Sequence, residues 1–212
     1  MDCDLKDMVY LLGVGHRVQA KPQDAVCTEE QTQFCECLSA AIEKIGPSIV
    51  AEEFSQYALE KLRTDQGIVY ESVTKPIADS FKVEHRFCDP DKNERATIGY
   101  VEGSELALQL AMSSLNLSNA EINNRGFAIE IARYWPIREK FWFDQLTDVM
   151  DHPLLFVCGD AHIDSFSSLL QNKGVHTVVV SRRIGVTQQD EEFWERTMEY
   201  LSQHPELRAD AL

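Results

Sequence analysis

An α/β fold with a mainly parallel central sheet covered by helices is predicted by three features of the sequence. Short apolar runs of strand length alternate with longer amphipathic stretches. The apolar runs are nearly unbroken (MVYLL, LLFVC, HTVVV), as in strands buried on both faces. The 212 residues, 44% hydrophobic and 26% charged, are ordinary globular material with enough length for one sizeable core.

The elements follow in order. Met8 to Leu12 reads as a buried strand. Thr28 with Gln31 makes a capping box that opens a helix. Phe34, Leu38, Ile42 and Ile45 form its apolar stripe, and Gly46-Pro47 stops it. Ser48 to Ala51 is a second strand, followed by helical stretches from Phe54 to Arg63 and Pro76 to Lys82. Val83 to Cys88 is a third strand, ending at Asp89-Pro90. Ser104 to Met150 reads as almost continuous helix, with Ser118 and Glu121 as a second capping box and Pro136 in the first turn of a new helix. Leu154 to Cys158 is the fourth strand, Ser165 to Asn172 a helix, His176 to Val180 the fifth strand and Glu191 to Ser202 a terminal helix. The whole is read as a single α/β domain, 1–212, with a helical insertion at about 104–150 before the fourth strand.

Acidic residues (35) outnumber basic ones (20), for a net charge of −15, and Arg182-Arg183 is the only adjacent basic pair. This field disfavours nucleic acid and anionic membrane as partners. No apolar run reaches the roughly 18 residues of a membrane span, and the N-terminal apolar stretch is too short and badly flanked for a signal peptide. The cytoplasm is the expected compartment. The six cysteines contain no CxxC, and they read as small buried hydrophobes.

The polar residues fall in a pattern. The first strand runs into Gly13-Val14-Gly15-His16, the second into Glu52-Glu53, the third into Asp89, and the fourth into Gly159-Asp160-Ala161-His162. Singly, each has a plain structural reading: a turn cap at His16, a solvated carboxylate at one of the glutamates, a turn at Asp89-Pro90 and a helix start at GDAH. Together they place ionisable groups at the carboxyl ends of four strands, the edge where open parallel sheets bind ligands. Such a set suits a divalent metal held by His16, Glu52 or Glu53, Asp89 and His162 with an open water position. It equally suits a histidine acting as general base on water and oriented by a carboxylate. His85, His152, His176 and His204 read as structural or exposed.

These same residues resemble a known family. The YLLGVGH start is similar to the GxxH strand of the TraB/Tiki group, within the superfamily that also holds erythromycin esterase and the ChaN haem-uptake lipoproteins. IVAEEF resembles that superfamily's second-strand segment, with Glu52 the best match and Glu53 the alternate. RFCDPD resembles a later strand ending in a polar turn, and Arg138 in PIREKFW resembles an Arg at the start of a helix over the site. LLFVCGDAHIDSFSSLLQNKG looks much like the late GxxH segment with its helix and Gly. Tiki-like members are metal-dependent peptidases. Erythromycin esterase-like members hydrolyse an ester with His and Glu and no metal. ChaN-like members bind haem, and some TraB-like members regulate signalling peptides.

The resemblance implies a hydrolase of an amide or ester bond in a small molecule or peptide, metal-assisted through Mn²⁺, Co²⁺ or Zn²⁺. His16, Glu52 and His162 are expected as ligands or as base and orienter, with Glu53, Asp89 and Asp160 as further or alternate ligands. Arg138 is expected to meet developing negative charge or a substrate carboxylate. The rival expectation is a non-catalytic protein that uses the same pocket for haem, a peptide or a small signal. A third is an acidic scaffold whose helical insertion engages a basic partner.

Overall fold

The computed structural model describes residues 8–113 and 117–209. Cys3, and residues 114–116 of the expected helical run, lie outside them. Strand β1 (Met8–Val14) leads through a 3₁₀ turn (His16–Val18) to β2 (Ala20–Pro22) and helix α1 (Glu29–Ile45). Next come β3 (Ile49–Glu52), α2 (Gln56–Gln66), β4 (Tyr70–Ser72), α3 (Thr74–Ser80) and β5 (Glu84–Phe87). Helices α4 (Lys92–Ile98), α5 (Gly103–Ser113) and α6 (Asn119–Ile129) follow, and a π-helical turn (Glu130–Tyr134) runs straight into α7 (Trp135–Leu146). The chain finishes with β6 (Leu154–Gly159), a second 3₁₀ turn (Asp160–His162), α8 (Ile163–Asn172), β7 (His176–Ile184), α9 (Gln188–Gln203) and α10 (Glu206–Ala209). It forms two compact units: Met1–Asp91 with Phe141–Val186, and Lys92–Lys140 with Thr187–Leu212.

The first unit holds a five-stranded sheet in the order β5-β3-β6-β1-β7, with every pairing parallel. This is the α/β architecture that the alternating runs predict. All six residues of β6 are buried, as expected of the strand at the centre. Side chains alternate between two apolar layers because successive strand residues point to opposite faces. One layer packs Trp142, Phe156 and Phe166 ring against ring, at centroid separations of 4.9 to 5.6 Å. The other packs Phe34 and Leu38 of α1 against Val50 and Leu155. The Thr28–Gln31 capping box is formed, and Gly46 ends α1 in the left-handed region.

Three features differ from the sequence reading. The antiparallel pair β2–β4 has three residues per strand and no apolar run, and it is held by Lys21 facing Glu71 across the ladder. Edge strand β7 extends past the HTVVV run, through Ser181, Arg182 and Arg183, to Ile184. The helix containing Pro136 is not separate from the preceding one. Proline lacks the N–H that an unbroken α-helix needs, and a π-turn, with the Trp135 N–H reaching the Glu130 carbonyl, carries the chain past it. Cys88 and Cys158 are buried as expected, whereas Cys27, Cys35 and Cys37 are partly exposed. Among the described residues no helix is long and apolar enough to cross a membrane.

In the second unit the Ser118–Glu121 capping box opens α6, and the carboxylates of Glu130 and Glu139 are buried. The Glu130 carboxylate accepts the Tyr100 hydroxyl and the Gly103 N–H at the start of α5. Burial outweighs these bonds and pushes the Glu130 carboxyl above its usual value.

Two outcomes follow from this packing. Phe156→Ala removes a fully buried ring from the central strand and is expected to cost about 3–5 kcal/mol in urea unfolding. Because the folded pKa of Glu130 is raised, its contribution is fully present below the ordinary glutamate range and is lost as pH rises through the raised value. Stability measured against pH is expected to fall across that window, and Glu130→Gln is expected to flatten the fall.

Candidate functional site

Parallel pairing brings the carboxyl ends of β3, β6 and β1 side by side. Val14 lies across from Gly159, and Glu52 across from Val157. One residue further on, the Glu53 N–H still bonds the Val157 carbonyl at 2.8 Å, so Glu53 is held as firmly as a strand residue. Adjacent strand residues face opposite ways, so Glu52 and Glu53 reach different layers.

Glu53 is the carboxylate that meets the histidines. Its side chain is wholly buried, and Oε2 accepts the Gly159 N–H at 2.7 Å. Oε1 lies 3.7 Å from His16 Nε2 and 3.5 Å from His162 Nε2. The three groups differ in access. The His162 side chain is 2% exposed, while that of His16 is 58% exposed, so solvent reaches the cluster through His16. Gly159 makes this convergence sterically feasible: a Cβ there would sit 2.7 Å from His16 Nε2 and 3.3 Å from Glu53 Oε2.

Gln19, which the sequence reading missed, orients His16. The 3₁₀ turn places it three residues beyond His16, fully buried. Its Nε2 donates to the Glu53 carbonyl at 3.5 Å, which turns Oε1 to accept the His16 Nδ1–H at 3.1 Å. That assignment leaves Nε2 on the side of Glu53. No periodicity marks such a residue, and a buried Gln just after a GxxH turn is the one available signal.

Other expected site residues lie elsewhere. Glu52 points into the opposite layer, where Oε1 accepts the Ser72 hydroxyl at 2.7 Å and the His85 Nε2–H at 2.8 Å. Its Oε2 is buried without a hydrogen-bond partner among the described residues. Asp89 Oδ1 accepts the Trp142 indole N–H at 3.2 Å, and Trp142 packs edge-on against the His162 ring at 4.9 Å. Asp89 is thus linked to His162 through the Trp142 ring. Asp160 turns to Arg182 and Arg183. Arg138 belongs to the second unit, where its guanidinium lies 5.5 Å from the centre of the Tyr100 ring. The neighbouring Cys88 thiol is pushed up to about 12, chiefly by burial, which makes it a poor nucleophile.

Among the described residues no group of three His, Cys, Asp or Glu side chains is arranged to hold a divalent metal. Glu52 and Asp89, the other carboxylates of the expected ligand set, are turned to Ser72 with His85 and to Trp142 respectively. The arrangement suits proton transfer: an accessible imidazole oriented at Nδ1, beside a fixed carboxylate backed by a second imidazole.

Gly159→Ala tests how tightly the cluster is built. The added methyl is expected to swing the exposed His16 ring away from Glu53 while leaving the fold intact. His16 should then react several-fold faster with diethyl pyrocarbonate, followed by mass spectrometry, with an unfolding midpoint near that of the parent. No family model, curated protein or solved structure matches this chain.

Proposed function

We propose that this protein hydrolyses an amide or ester bond in a small molecule or peptide, using His16 as general base with Glu53 and His162 behind it. The observation that carries this reading is the approach of two imidazole Nε2 atoms to one buried carboxylate oxygen, with only His16 open to solvent. Water beside His16 Nε2 attacks the substrate carbonyl carbon and gives its proton to the imidazole. Glu53 stabilises the resulting imidazolium, and the proton passes to the leaving amine or alcohol as the carbon–heteroatom bond breaks. His162, packed edge-on against Trp142, places a second imidazole 3.5 Å from the same carboxylate oxygen. Gln19 holds the His16 ring in the orientation that the transfer needs. The cytoplasm is the proposed setting, supported by five cysteines among the described residues that carry no disulfide.

The test is turnover of a panel of peptides and esters, with and without Mn²⁺, Co²⁺ or Zn²⁺. Metal-independent turnover is expected. His16→Ala and Glu53→Gln are each expected to lower kcat by about 100-fold or more, and Glu52→Gln by much less. Turnover that needs added metal, or that survives His16→Ala, would overturn the mechanism. Absence of turnover with a Soret band on haem titration, lost in His16→Ala, would support the binding reading instead.

A further inference from the structure

The corner where β7 ends touches both histidine turns. In the sheet β7 lies beside β1, which lies beside β6, so three strand ends are adjacent. The β7 register slips twice near this end. Leu11 pairs with Val179, Leu12 with Ser181 and Val14 with Ile184, so five steps along β7 match three along β1. Bulges of this kind re-aim side chains and backbone donors beside functional sites.

Here they aim Arg182 and Arg183 at Asp160, the first residue of the His162 turn. The Arg183 N–H donates to Asp160 Oδ1 at 2.7 Å. The Arg182 guanidinium donates to Oδ1 and Oδ2, each at 3.4 Å, and to the Asp160 carbonyl at 3.3 Å. Arg183 has φ of 64°, a left-handed conformation unusual for a residue with a Cβ. The bond to Asp160 holds the backbone in that strained form.

The same corner grips the His16 turn. The Gly15 N–H donates to the Ile184 carbonyl at 2.8 Å, and Arg17 Nε to the Gly185 carbonyl at 3.2 Å. A Cβ on Gly15 would meet the Gly185 oxygen at 2.5 Å, so the two backbones are in direct contact. The segment 182–185 thus ties the turn carrying His16 to the turn carrying His162.

We infer that Asp160 is a positioning residue: anchored by Arg182 and Arg183, it sets His162, and through the shared corner His16, at their distances from Glu53. The inference rests on the reading of His16, Glu53 and His162 as the reactive cluster. It gives Asp160 a role through the histidines and none as a ligand. It also explains the bulges and the Ser181-Arg182-Arg183 run near the end of β7.

The experiment compares the parent protein with Asp160→Ala by pH titration of the histidine ring resonances, with His85, on the opposite layer, as internal reference. The titration midpoints of His162 and His16 are expected to move while that of His85 stays. On a substrate that the parent turns over, kcat is expected to fall roughly tenfold to hundredfold, with KM within about threefold. Asp164→Ala removes the other, exposed partner of Arg182 and is expected to change neither readout. Unmoved His162 and His16 titrations in folded Asp160→Ala would overturn the proposal. If Asp160→Ala fails to fold, Asp160→Asn carries the same comparison, since it keeps an oxygen for the Arg183 N–H but removes the charge facing Arg182. If the parent turns over no substrate, the hydrolytic reading falls, while the titrations still decide whether Asp160 positions the histidines.

Discussion

A single bond fixes the centre of this site: the Gly159 N–H donating to the buried carboxylate of Glu53. A wholly buried carboxylate is costly unless it is hydrogen-bonded and near positive or polarisable partners. The Gly159 bond meets part of that need, and two imidazole Nε2 atoms lie 3.5 and 3.7 Å from the other oxygen, Oε1. The bond also has a geometric effect. It crosses from the end of β3 to the end of β6 and makes the side-chain position a consequence of sheet register.

The parallel sheet explains why residues so distant in sequence meet. Each strand delivers its last residue to the same edge, and the turn that follows adds one functional group. The two GxxH turns are both 3₁₀, tight enough to place the ring next to its own strand end. Glycine is needed at Gly159, where a Cβ would meet His16 Nε2 at 2.7 Å and displace the ring. The aromatic layer beneath, from Trp142 to Phe166, makes the far wall rigid, with Asp89 bonded to the indole that presses on His162.

The main strands, their order of appearance, two of the helix caps and the meeting of His16 with His162 could all be read from the residues. These rest on periodicity, capping chemistry and the strand-end rule, which are local or topological. The choice between Glu52 and Glu53 could not. A period of two says that adjacent glutamates face apart, but it does not say which layer holds the imidazoles. The family resemblance favours Glu52, whereas the packing of Ala51 and Ile49 with Trp142 puts that layer's polar end at Glu53. Gln19 and the β7 corner were equally hidden, because their roles depend on hydrogen bonds between segments remote in sequence. The β2–β4 pair is too short and too charged to leave an apolar signature.

The most direct measurement is a crystal structure of the protein at a resolution that places the side chains of His16, Glu53 and His162. Both imidazole Nε2 atoms are expected close to the same Glu53 oxygen, near 3.5 and 3.7 Å, with Glu52 turned to His85 and Ser72. A Glu53 carboxylate turned out to solvent, or histidines separated on opposite faces of the sheet, would contradict this arrangement.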